Sequence, residues 1–140
     1  AYPRKSVACV STHDLPTIAG WWQGEDIREK EALGLIPREA AEAARNERAA
    51  LKLAFLRAIG IKAGPGYMPP LASVVAAAHE FLKRTPSIIA IAQLDDLVGE
   101  FTSVNLPGTY RDRPNWRRKL KGTLAGFAGS IGALHMSGFS

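Results

Sequence analysis

Two short apolar runs frame the chain, and both end in polar residues. Val7-Ala8-Cys9-Val10 gives way to Ser11-Thr12-His13-Asp14, and Ser87-Ile88-Ile89-Ala90-Ile91-Ala92 gives way to Gln93 and the pair Asp95-Asp96. Short apolar runs of this kind predict strands, and the lack of alternation in the second predicts a strand buried on both faces of a parallel sheet. Between them the period is helical. Leu15-Pro16-Thr17 stops the first strand and Ile18–Trp22 reads as a short helix. Gln23-Gly24-Glu25-Asp26 leads to another over Arg28–Leu33, broken by Gly34-Leu35-Ile36. Pro37 opens a long helix from Arg38 to Ile59, since proline in the first turn loses no needed donor. Its predicted apolar stripe is Ala44, Leu51, Phe55 and Ile59, with Glu42 and Arg45 spaced to pair. Gly60 is the expected C-cap, and Ala63-Gly64-Pro65-Gly66 a loop.

Pro69-Pro70 starts the next helix, whose packed face is Leu71, Val74, Val75, Ala78 and Leu82. Lys83 and Arg84 suit its C-terminal dipole, and Pro86 ends it. After the second strand, residues 100–114 are rich in Gly, Pro and Asn and read as a surface connection able to carry binding groups. Residues 115–120 read as a final helix capped by Asn115. The tail from Gly122 to Ser140 has glycines at 122, 126, 129, 132 and 138 and no dominant period, so no element is assigned to it.

Composition narrows the class. The chain has 140 residues, 46% hydrophobic and 22% charged, which is the balance of one globular unit with a core. No apolar run approaches the ~20 residues that span a bilayer. Nor does an apolar segment follow Ala1-Tyr2-Pro3-Arg4-Lys5, so neither a membrane span nor a signal peptide is expected. Cys9 is the single cysteine and excludes an intrachain disulfide; a reducing cytoplasm suits it, and its place in an apolar strand reads as inert packing. The net charge of +5 concentrates in Arg111, Arg113, Arg117, Arg118, Lys119 and Lys121. Only Tyr110 and Trp116 interleave with that cluster and no nucleic-acid motif is present, so it reads as a solvated helical face.

Candidate chemistry sits where the strands end. In α/β barrels the C-terminal ends of strands open on the pocket, which directs attention to His13 and Asp14. A donor beside an acceptor-only carboxylate suits a sugar, whose hydroxyls do both. On these residues alone, Asp14 reads rather as an N-cap for the helix near Pro16, and His13 as a satisfied core histidine. Trp21 and Trp22 read as core rather than as stacking platforms, Asp96 as the cap of the short helix after it, and Glu25 and Asp26 as solvated helix-start charges. His13, His79 and His135 are too far apart for metal spacing, and His79 falls off the apolar stripe of its helix. No glycine-rich phosphate loop is present, so no metal or cofactor is expected.

Three ordered blocks carry a family resemblance. Ser11-Thr12-His13-Asp14-Leu15-Pro16-Thr17 with Gly20-Trp21-Trp22, then Gln93–Gly99, then Val104-Asn105-Leu106-Pro107-Gly108-Thr109 with Pro114-Asn115-Trp116-Arg117-Arg118-Lys119, resemble 4-α-glucanotransferases (amylomaltase, glycoside hydrolase family 77). The resemblance covers most of the chain. It implies an α/β fold: the seventh and eighth strand–helix units of a (β/α)₈ TIM barrel, mainly helical as an isolated chain. Residues 1–140 would be one partial domain, since a full barrel takes eight units and typically ~250 residues.

The implied activity is retaining transfer of an α-1,4-glucan segment to the 4-hydroxyl of an acceptor glucan. Asp14 matches the transition-state stabiliser and His13 a donor to the same sugar, with Asn105, Pro107 and Gly108 at the substrate-binding wall. The nucleophile and acid/base stand on earlier strands in the family, so the isolated chain is expected to be inactive. Cut strand edges invite pairing with a second copy. Two other classes stay open: a non-catalytic carbohydrate-binding module, and a basic nucleic-acid or protein interaction domain.

Overall fold

A computed structural model describes residues 2–64, 67–123 and 125–128. Two three-residue strands, β1 (Val7–Cys9) and β2 (Ile89–Ile91), pair in parallel with Val7 opposite Ile89 and Cys9 opposite Ile91. Helices α1 (Ile18–Gln23), α2 (Glu25–Ala32), α3 (Arg38–Ala58) and α4 (Leu71–Lys83) lie between them in sequence, and α5 (Leu94–Leu97) follows β2. The chain is therefore mainly helical with one small parallel sheet. The loop expected at residues 63–66 includes Pro65 and Gly66, and the glycine-rich tail includes 129–140; these lie outside the described residues, as does His135.

The core forms where α1, α3 and α4 meet. Ile18 and Trp22 from α1 pack with Leu56 and Ile59 at the end of α3 and with Val74, Val75 and Ala78 from α4. Around them Trp21 sets its ring edge-on to Phe55 at 5.6 Å, so the tryptophans pack as expected of core residues. Gly60 adopts φ 81°, a left-handed turn that glycine enters without a Cβ clash. It lets Gly60 N donate to Arg57 O and Ile61 N donate to Leu56 O, closing α3 in a Schellman motif one residue past its last helical cap, Ile59.

Several expected details differ. The buried line of α3 runs through Ala41 and Leu56 to Ile59, with Phe55 beside it, while Leu51 is exposed. Its centre holds two cations, Arg48 and Lys52, which spoil the apolar stripe in the sequence. Arg48 lies 4.7 Å from the Trp21 ring centre and forms a two-pronged pair with Asp26 at 2.8 and 2.9 Å; Lys52 lies 5.3 Å above Trp22. Their charged heads lie over the indole faces, and the Arg48 guanidinium is held there by Asp26 and Trp21 O. Asp26 is accordingly no solvated charge, and Glu25 pairs with Arg28. Glu42 pairs with Arg38, and Arg45 reaches Glu31 across to α2, in place of the expected Glu42–Arg45 pair. α2 begins at Glu25 rather than Arg28, because Gly24 at φ 79° ends α1 and lets the chain turn at once into a helix whose first turn carries two acids.

The strands also differ from expectation. All three residues of β2 are exposed, as are Val7 and Cys9 of β1, whereas Ala8 between them is buried, because among the described residues the helices pack mainly on one another. No helix forms over residues 115–120. Arg113 instead turns inward and is buried, donating to Glu29 at 2.6 Å and to Asn115 Oδ1 at 2.7 Å, and Arg118 pairs with Asp95 and Glu100. The basic cluster is thus partly an internal tie between the last loop, α2 and α5, and no solvated helical face. His79 is buried on α4, with Nδ1 2.8 Å from Val75 O; it flanks the apolar face instead of lying off it.

Candidate functional site

After β1 the chain turns sharply: Leu15 N donates to Thr12 O at 3.0 Å, which throws His13 and Asp14 outward. Their side chains are 56% and 50% exposed, so His13 is no core histidine. Asp14 is no N-cap either. α1 starts at Ile18, and its cap is Thr17, whose Oγ1 accepts from Gly20 N at 3.0 Å. What Asp14 does instead is bridge two loops. His13 Nε2 lies 3.2 Å from its Oδ2, and Asn105 Nδ2, 91 residues away, donates to its Oδ1 at 2.7 Å.

The three polar residues singled out in sequence therefore meet at the ends of both strands. Asp14 and Asn105 border a cleft of about 140 Å³ whose walls also include Pro16, Phe101 and Pro107, with His13 beside Asp14 outside that lining. Gly108, at φ 86°, shapes the turn behind Pro107, where Thr109 N donates to Leu106 O. The cleft also carries Glu25, Asp26 and Glu29. Each of these is tied to a guanidinium: Glu25 to Arg28, Asp26 to Arg48, Glu29 to Arg113. Asp14 has the Asn105 amide and the His13 imidazole as its partners and no guanidinium, and its side chain is half exposed, so its carboxylate is the one left to face an incoming ligand. Among the described residues no cluster of His, Cys, Asp and Glu could hold a metal, and no helix is long and apolar enough to cross a membrane.

The family described as 4-alpha-glucanotransferase, glycoside hydrolase family 77, matches residues 1–125. The chain belongs to that family. It is 43% identical over 119 residues to a 4-alpha-glucanotransferase of Mycobacterium tuberculosis, covering 83% of this chain and 16% of the relative. With a 4-alpha-glucanotransferase of Haemophilus influenzae it shares 30% over 135 residues, 89% of this chain and 19% of the relative. The fold is similar to the crystal structure of amylomaltase from Corynebacterium glutamicum, with a TM-score of 0.61 at 35% identity, over 79% of this chain and 17% of that one. The chain thus spans less than a fifth of the length of these glucanotransferases.

Two further residues in contact with the turn that carries His13 and Asp14 bear no mark in the sequence that separates them from packing residues. Trp116 sets its ring 5.3 Å from the His13 ring and has φ 62°, the one non-glycine positive φ recorded among the described residues. Its backbone is held there by Trp116 N donating to Val104 O and by Asn115, whose side chain ties Leu106, Thr109 and Arg113 together. An aromatic just after Asn115 is the only hint.

Asp96 is the second. It does not cap α5 but sits inside it, fully buried, accepting from Ser11 Oγ and, at 2.6 Å, from Ile18 N at the start of α1. Burial pushes its carboxyl above the ordinary value of 3.8, more than the two donated hydrogen bonds pull it down. A raised folded pKa means that the folded state holds the proton longer than the unfolded chain. This stabilisation is complete below 3.8 and is lost as pH rises through the folded value. We expect the melting temperature relative to Asp96→Asn to fall as pH is raised from about 4, by thermal denaturation across pH; a flat difference would refute the assignment.

Proposed function

We propose that the chain supplies part of the sugar-binding wall of a 4-α-glucanotransferase, an enzyme that moves an α-1,4-glucan segment to the 4-hydroxyl of an acceptor glucan with retention of configuration. The observation that carries this reading is the Asp14 carboxylate, held at the cleft by Asn105 and His13 while each neighbouring acid is bound to an arginine. Asp14 accepts hydrogen bonds from ring hydroxyls of the donor sugar and stabilises the positive charge that builds on the ring. His13 donates to the same sugar. Asn105 fixes the Asp14 carboxylate and, with Pro107 and Gly108, forms the wall. Substrate binds without cofactor or metal.

In this reading residues 1–140 are one partial domain, the seventh and eighth strand–helix units of a (β/α)₈ barrel. Support comes from the parallel pair with both polar tips at one end, and from the bare faces of Val7, Ile89 and Ile91, where further layers would lie. Retention needs a nucleophile and an acid/base roughly 5 Å apart. The arginine-bound acids of this cleft are unsuited to either role, so both come from elsewhere in the complete enzyme. The purified 140-residue chain then leaves maltotriose unchanged, whereas the complete protein converts it to glucose and longer glucans. Glucan exchange by the isolated chain would overturn the division of labour; its absence from the complete protein would overturn the function.

A further inference from the structure

The turn that carries His13 and Asp14 is anchored at both ends by one side chain. Ser11 precedes it, Ile18 follows it, and Asp96 receives a hydrogen bond from each: from Ser11 Oγ on Oδ2 and from Ile18 N on Oδ1. These bonds span 85 and 78 residues of sequence. Asp96 belongs to α5, the element just past β2, and that element is itself braced. Gly99 N and Glu100 N close its C-terminal end on Asp96 O and Asp95 O, and Arg118 pairs with both Asp95 and Glu100. Thr17 Oγ1 adds a bond to Glu100 O at 2.5 Å.

We propose that Asp96 is a positioning residue for Asp14, clamping the 11–18 segment so that the Asp14 carboxylate meets Asn105 and the sugar in one fixed place. This rests on the reading of Asp14 given above. A purely structural role as the N-cap of α1 accounts for the arrangement less well. Thr17 already caps α1, and burying a carboxylate carries a desolvation cost that one extra cap bond to Ile18 N does not repay. What the second oxygen adds is the tie to Ser11, which has nothing to do with α1. Asn105 is referenced to the same element, because its loop leaves the end of α5 through Phe101. One carboxylate therefore registers both halves of the candidate site.

The test uses the complete enzyme, with kcat, KM and melting temperature measured for Asp96→Ala, Asp96→Asn, Ser11→Ala, Asp14→Asn and, as a control for lost stability, Leu56→Ala. A displacement of about 1 Å at a reacting geometry costs on the order of 100-fold, so Asp96→Ala is expected to lower kcat by roughly that factor with KM little changed. Asp96→Asn recovers most of the loss, since its amide still accepts from Ile18 N and donates to Ser11 Oγ. Ser11→Ala falls between the two. Leu56→Ala lowers the melting temperature and leaves the kcat of folded protein intact.

If Asp96→Ala loses melting temperature but keeps the kcat of folded protein, positioning is overturned and the function stands. Should Asp96→Ala fail to fold, the same readouts on Ser11→Ala decide: lost kcat supports the clamp and unchanged kcat refutes it. Full activity in Asp14→Asn removes the function reading itself, and the clamp with it.

Discussion

If Asp14 has the role proposed for it, Asp14→Asn in the complete protein is expected to lower the kcat of glucan transfer by roughly 10²- to 10³-fold, about 3–4 kcal/mol of transition-state stabilisation, with KM changed far less. The substitution is nearly isosteric, and the asparagine carbonyl can still accept from Asn105 Nδ2, now at 2.7 Å from Asp14 Oδ1. The cleft therefore keeps its shape, and what disappears is the charge. A neutral amide accepts from a ground-state sugar almost as well as a carboxylate does. It cannot match the carboxylate once the ring becomes cationic, and that difference appears in kcat. Steady-state transfer kinetics from maltotriose decide the matter. A loss confined to KM would make Asp14 a simple binding group, and no loss would remove it from the site.

The second large effect concerns Gly20. On helix propensity alone Gly20→Ala would stabilise α1 by about 1 kcal/mol. The added Cβ would, however, stand 2.1 Å from Phe101 O and 3.0 Å from Thr17 Oγ1. A backbone carbonyl cannot swing aside as a flexible side chain would, so the overlap costs about 3 kcal/mol or more and outweighs the propensity gain. Relief comes only by moving α1 away from residues 100–101. That breaks the Thr17–Glu100 bond and carries Asn105 away from Asp14. We expect a clearly lower denaturation midpoint together with reduced kcat. A midpoint equal to that of the parent protein would mean that the contact of α1 with Phe101 is looser than described.

Much of the helical framework was legible along the chain. α3 and α4 keep their expected bounds within a residue, and the face of Leu71, Val74, Val75, Ala78 and Leu82 on α4 packs as its spacing predicts, with Leu71 at the rim. The parallel strands were also legible, and the fold brings His13, Asp14 and Asn105 into contact. What misled was local reading of polar groups. Asp96, Asp26 and Arg113 each look like a cap or a solvated charge beside their sequence neighbours, yet each is held by partners on distant elements. The basic run at 111–121 looked like a helix face because its charge density says nothing about where those charges find acids.

By itself the sequence determined the helices α1, α3 and α4, the two extended runs, and that polar tips follow both of them. Those properties depend on neighbours three or four residues away, on proline and glycine, and on period, all of which are written locally. Only the tertiary structure decided that Thr17 and not Asp14 caps α1, that Asp96 holds both ends of the Asp14 turn, and that Asp14 alone among the cleft's acids escapes an arginine. A carboxylate's role depends on which donors reach it, and here those donors lie 78 to 91 residues away. No local pattern encodes that meeting; it exists once the core of α1, α3 and α4 has brought the two strand ends together.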